Sequence, residues 1–279
     1  MLNFFEKWAR LSRDVRSRRH FLGRVLARVA PLLGAFGLLA AWPSTEARAF
    51  GDEGAFHPRV LLTGTSRWEG PRRSGPGRWS WELGRRTSAP ARLTPTTVRA
   101  DASALLAEPF AVWAGQGPVS PLSGPELEGL RKFLLVGGIL LVDDSAPETG
   151  QFGREARREI GRVLPEGVAL PLPEGHVVYH SFYLLDRAFG RIEGPKTLDA
   201  IVRGGSAQVL FSSHDLLGAL ARDPGGAPTF PVVPRGEWQR ERVTRLAVNI
   251  AMYVLCSTYK DDQVHAPALM RRRSGDRGP

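Results

Sequence analysis

Four short stretches of this chain are apolar without polar alternation, and each ends abruptly in Gly, Ser or Asp. They are HPRVLLTGTS over residues 57–66, EPFAVWAGQG over 108–117, GGILLVDDS over 137–145 and AQVLFSSHD over 207–215. A strand with one wet face alternates apolar and polar residues, whereas a strand covered on both faces reads as a continuous apolar run. The four runs therefore predict strands of a parallel sheet sandwiched between helices. A further strand is expected in TTVRAD, over 96–101.

Helical periodicity fills the gaps. In LSGPELEGLRKFLLVGG, over 122–138, Ser123 is a suitable N-cap, Pro125 sits in the first turn, and Glu126 and Glu128 lie near the positive end of the helix dipole. Leu127, Leu130, Phe133 and Leu134 recur at helical spacing, and Gly137 stops the run. A second amphipathic helix is predicted over 152–164, a short third one in SHDLLGALA, and a long last one over 238–259 with Val243, Leu246, Ala247, Ile250 and Val254 on one face. Another is expected in SWELGRRT, over 80–87. The stretches 69–78 and 223–237 are rich in Gly and Pro and read as loops. Strand and helix in this rhythm predict an α/β fold, a three-layer sandwich with a mainly parallel central sheet, forming a single domain over 50–260.

Charge changes the picture at the ends only. The formal net charge is +10, but residues 1–49 hold nine Lys/Arg against three Asp/Glu, and the last ten residues hold four Arg against one Asp. The stretch between is close to neutral, so no basic groove for nucleic acid is expected. The segment 261–279 reads as a basic, disordered tail. The sole cysteine, Cys256, excludes an internal disulfide and is expected to pack in the core from its apolar helix face.

The amino-terminal charge belongs to a second pattern. SRRHFLGRV places Arg18 and Arg19 before Phe21 and Leu22, a 14-residue apolar run follows over 29–42, and ARAF supplies Ala47 and Ala49 ahead of Phe50. A basic start, a short apolar middle and an A-x-A end make a secretory signal, and S-R-R-x-F-L resembles the twin-arginine type. The apolar run falls short of the ~20 residues of a membrane span. The expected partners are thus the twin-arginine export machinery and signal peptidase, with cleavage after Ala49 and a periplasmic or secreted mature chain. An uncleaved amphipathic anchor is the other reading.

Candidate chemistry gathers where the strands end. In open α/β sheets the working crevice lies outside the strand carboxyl ends, and there this chain places Thr63 and Thr65, then Gln116, then Asp143, Asp144 and Ser145, then Ser212, Ser213, His214 and Asp215. Adjacent strand residues face opposite ways, so at most one of Asp143 and Asp144 should enter a given pocket. A carboxylate at this position also suits capping of the next helix. LPEGHVVYHSFY sets His176 and His180 four apart in a segment that reads as extended, where they would sit ~13 Å apart. With His214 and an aspartate the residue types for a metal site exist, but the spacing matches no metal signature. Hydrogen-bonded structural histidines are expected, and no cofactor. Arg67, Arg72, Arg73 and Arg78 surround Trp68, Trp79 and Trp81, a pairing suited to sugars or anionic polymers and equally to a solvated loop over packed tryptophans.

The order AVWAGQG, helix, GGILLVDDSA, then a late strand ending in His and a carboxylate resembles the class I glutamine amidotransferase (flavodoxin-like) fold. The resemblance implies a nucleophilic Cys on the turn where this chain has Asp143-Asp144, so glutamine hydrolysis is not expected. The stretches WAGQGPVSPLSGPELEGLRKFLLVGGILLVDDS and LPEGHVVYHSFY, the SSHD strand end, and a terminal helix with Asn249 and Tyr253 resemble an uncharacterised bacterial domain-of-unknown-function family, number 4159, with this fold. The expected function is a non-catalytic binding or scaffolding domain of the cell envelope, contacting an envelope protein or polysaccharide near Gln116, Asp143, Asp144, Ser145, His176 and His180. The competing expectation is a hydrolase of envelope polymers or small metabolites, metal-assisted or not, using Asp143 or Asp144 with His214 and Asp215.

Overall fold

A computed structural model describes residues 54–275 of the chain, with side chains as far as 257. The export signal, from Arg18 and Arg19 to Ala49 and Phe50, lies outside the described residues, as do the side chains of the 261–279 tail.

The strands are β1 (Arg59–Leu62), β2 (Thr97–Arg99), β3 (Phe110–Gly115), β4 (Ile139–Asp144), β5 (Leu170–Pro171), β6 (Asp199–Arg203) and β7 (Ser206–Ser212). The helices are α1 (Gly75–Thr87), α2 (Gly124–Leu135), α3 (Gln151–Val163), α4 (Leu216–Leu220) and α5 (Gly236–Gly275). One sheet contains all seven strands in the order β2-β1-β3-β4-β7-β6-β5. The four strands legible as continuous apolar runs are its adjacent parallel centre, β1-β3-β4-β7. β6 pairs antiparallel with both β7 and β5, closing the sheet with a hairpin that the apolar runs did not announce.

The sheet is covered on both faces. On one side Val112 and Leu141 pack against Trp79 and Leu83 of α1 and Leu246 and Ile250 of α5. On the other, Leu140 and Val142 meet Leu130 and Phe133 of α2 and Ile160 of α3. β4 shows the physical logic: all six of its residues are buried, and they alternate between the two cores.

Local signals explain the element ends. Ser123 and Glu126 form the capping box of α2, with Ser123 N–H donating to Glu126 Oε2 at 2.9 Å. At the other end Gly137 turns with φ 93°, and a Cβ on Gly138 would lie 2.5 Å from Phe133, so the Gly-Gly before β4 is a steric necessity. Two expectations are corrected. α1 starts inside the Gly/Pro-rich stretch, because Pro76 in the first turn gives up an amide the helix would not have used. Cys256 is exposed on α5 rather than buried in the core.

Candidate functional site

The connection leaving β1 leads to β2 on one side, and the connection leaving β3 leads to β4 on the other. The carboxyl ends of β1 and β3 therefore diverge, which is the switch point where open α/β sheets form a crevice. A cavity of about 620 Å³ lies there, inside the ~300–1,000 Å³ range usual for small-molecule sites. Thr63, Thr65 and Gln116 border it, as the strand ends predict, together with Ser145, Arg67 and Arg72. Its apolar wall includes Trp68, Trp113, Phe152 and Phe230, with Trp113 and Phe152 edge-to-face at 5.8 Å. A Cβ on Gly115 would lie 2.6 Å from the Phe152 ring, so only glycine lets that wall close.

Carboxylates hold both lips of the crevice in place, Glu126 and Glu159 buried and Glu155 partly exposed. Glu126, already part of the α2 cap, also accepts the Gly64 amide of the loop after β1. Burial alone would raise its pKa, but the Ser123 and Gly64 amides outweigh that and hold it below the usual carboxylate range. On the opposite lip, Glu155 and Glu159 of α3 accept the Val119 and Leu122 amides at 2.7 and 2.9 Å. Sequence reasoning missed Glu155 and Glu159. Their only signal was an i, i+4 pair on an amphipathic helix, which reads first as surface charge.

The paired aspartates take other roles. Asp143 is fully buried on the α4 side and accepts the Leu216 and Leu217 amides, both at 2.9 Å. Asp144 turns to the α3 side, where it accepts the Ala146 amide at 2.9 Å and the Gly153 amide at 3.1 Å. Each thus caps a different helix, and neither borders the crevice. Asp144 instead lines a smaller hollow of about 170 Å³. Burial first, and then the neighbouring Asp215 carboxylate, push the Asp143 carboxyl from 3.8 up to about 7.

His214 and Asp215 emerge at the same edge of the sheet, next to β4, but Asp215 is fully committed and His214 is held through Nε2, its buried Nδ1 making no hydrogen bond. His214 is buried, its Nε2 lies 2.9 Å from the Pro195 carbonyl, and burial lowers its pKa, leaving a neutral ring. Asp215 is wholly buried with a left-handed backbone, φ 52°. It takes two bonds from Arg72, at 2.8 and 2.7 Å, and another from Arg191. Through Arg72, which borders the crevice, Asp215 supports that wall without entering it.

His176 and His180 flank a 3-10 turn (Val177–Tyr179), not the extended segment expected. His176 Nδ1 accepts the Val178 amide at 3.2 Å, and His180 Nε2 lies 3.0 Å from the Leu185 carbonyl. Among the described residues no three His, Cys, Asp or Glu side chains converge as a metal site would need. The Arg-Trp stretch divides: Arg67, Trp68 and Arg72 reach the crevice, Trp79 is core, and Trp81 sits on the outer surface of α1 with Arg78 3.9 Å above its ring. Asn249 and Tyr253 of α5 are structural. Asn249 bonds the Phe182 and Tyr183 backbone, and the Tyr253 hydroxyl accepts the Ala207 amide at 2.7 Å.

A family model described as a domain of unknown function (DUF4159) matches residues 59–255, a span that runs from the first residue of β1 into α5. No curated protein matches the chain.

Proposed function

The chain belongs to the DUF4159 family, and from that premise we propose that it is an exported binding or scaffolding domain of the cell envelope that seats its ligand in the switch-point crevice. The observation that carries this reading is the division of labour among the carboxylates. Glu126, Glu155 and Glu159 pre-organise the crevice lips, while Asp143 and Asp144 are spent on backbone amides of two helices. A general acid or base has to reach the substrate, and neither aspartate borders the crevice. A pre-formed cavity with fixed lips binds without the cost of ordering loops.

The test is binding of the full chain to an array of bacterial envelope saccharides, beside the variant Gln116→Trp, which places an indole at the exposed lip of the crevice. Saturable binding to one saccharide class, weakened at least tenfold by the variant, is expected. Shortened saccharides after incubation would overturn the reading in favour of a hydrolase.

The envelope address rests on SRRHFL and the A-x-A site. Changing Arg18 and Arg19 together to Lys is expected to hold the protein in the cytoplasm with its signal uncleaved. Unchanged fractionation of that variant would remove the envelope from the proposal.

A further inference from the structure

Resting on the crevice reading above, we infer that the ligand is a sugar ring carrying an oxyanion, either a carboxylate or a phosphate. The argument comes from donors in the wall that have no acceptor. Ser145 is 3 % exposed and its hydroxyl makes no hydrogen bond. The same residue's carbonyl accepts Arg72 Nη2 at 2.8 Å, so Ser145 and the guanidinium are neighbours at this wall. Arg72 is held by Asp215 through Nε and Nη2 and lies 4.4 Å from the Phe230 ring centroid, while its Nη1 takes part in none of these bonds. The guanidinium is therefore fixed in direction, with one edge unspent.

Trp68 adds a second unpartnered donor. Its Nε1–H is buried without an acceptor, and an indole nitrogen cannot accept in return. Arg67 is exposed at the same wall and makes no ion pair with any described residue. Arg72 is already neutralised by Asp215, and Glu69 also borders the cavity. The excess is thus one of directed donors rather than of net charge. The indole N–H of Trp68 and the guanidinium of Arg67 can only donate, and the Ser145 hydroxyl can join them, so a ligand end rich in acceptors answers all three, which describes a carboxylate or phosphate oxygen set.

The rest of the wall fits a ring. Trp68, partly exposed at the wall, offers apolar surface suited to the C–H face of a pyranose, Trp113 and Phe152 form the apolar floor behind it, and Thr63, Thr65 and Gln116 offer groups that both donate and accept, as sugar hydroxyls require.

Titration calorimetry of the full chain with glucuronate, glucose 6-phosphate, glucose and AMP tests this. At least one of the two acidic sugars is expected to bind tenfold or more tightly than glucose, and which one does so separates carboxylate from phosphate. Ser145→Ala is expected to weaken that acid about fivefold with an unchanged unfolding midpoint, and Arg67→Gln to reduce its preference over glucose several-fold. Glucose binding as tightly as the acids would overturn the oxyanion and leave the crevice reading standing. Preference for AMP over all three sugars would replace the sugar with a stacked base. Binding of none of the four would overturn the inference, whereas acid binding that survives Gln116→Trp unchanged would sink the crevice itself.

Discussion

Asp215→Ala is expected to destabilise the folded protein by about 3–5 kcal/mol, the range for breaking a buried ion pair from one side. The Asp215 side chain has no exposed surface, and its two partners Arg72 and Arg191 are each only 13 % exposed at the side chain. Removing the carboxylate strands both guanidiniums in a poorly hydrated pocket. It also frees the Gly218 amide at the start of α4 and places alanine at φ 52°, a region that disfavours a Cβ. Asp215→Asn tolerates the left-handed backbone and keeps an acceptor for Gly218, so it should lose less. Chemical denaturation of the full chain checks the first figure, and a loss under about 1 kcal/mol would contradict it. Because Arg72 borders the crevice, ligand binding should weaken with stability in both variants.

Asp143→Asn is expected to change how stability depends on pH. In the folded protein burial and the adjacent Asp215 carboxylate raise the Asp143 pKa from 3.8 to about 7. Folding therefore favours the protonated group. The resulting contribution is fully present below the unfolded pKa and is lost as pH rises through about 7. Asparagine does not titrate, so the stability of the natural chain relative to the variant should fall by about 2–3 kcal/mol between about pH 5 and pH 8, since each tenfold gain in proton affinity on folding is worth roughly 1.4 kcal/mol. His214 and His176, whose pKa values burial lowers, give the opposite slope, but they do so in both proteins and cancel in the difference. Urea midpoints measured across this range decide the matter. A difference that stays flat, or that grows with pH, would remove Asp143 as the source.

The parallel centre of the sheet was legible because strands buried on both faces cannot hide: their apolar runs have no polar interruption. β6 escaped because the paired stretch carries Asp199, Arg203 and the half-exposed Val202, so it looks like a surface segment. β5 has only two residues, both exposed, and no periodicity can be read from a pair. At the crevice, Thr63, Thr65, Gln116 and Ser145 were found from position alone, since the rule about strand carboxyl ends needs no knowledge of side-chain direction. Asp143, Asp144, His214 and Asp215 were placed on the right edge, and helix capping was among the roles expected of the paired aspartates, but the choice between capping and binding could not be read from the chain. Whether a carboxylate points at a ligand or at a helix amide depends on where α3 and α4 begin in space. Glu126, Glu155 and Glu159 went unrecognised as lip supports for the same reason: their partners are amides of loops distant in sequence.

The doubled acid at the end of β4 has a consequence for how the chain finds its fold. Consecutive residues serve opposite sides of the sheet, Asp143 receiving the α4 amides and Asp144 the α3 amide. A slip of β4 by a single residue would turn both carboxylates away from their helices at once and exchange the faces of Leu140 and Leu141. Only one alignment satisfies the two halves simultaneously. The strand's registration is thus tied at once to the helical layer above it and to the one below.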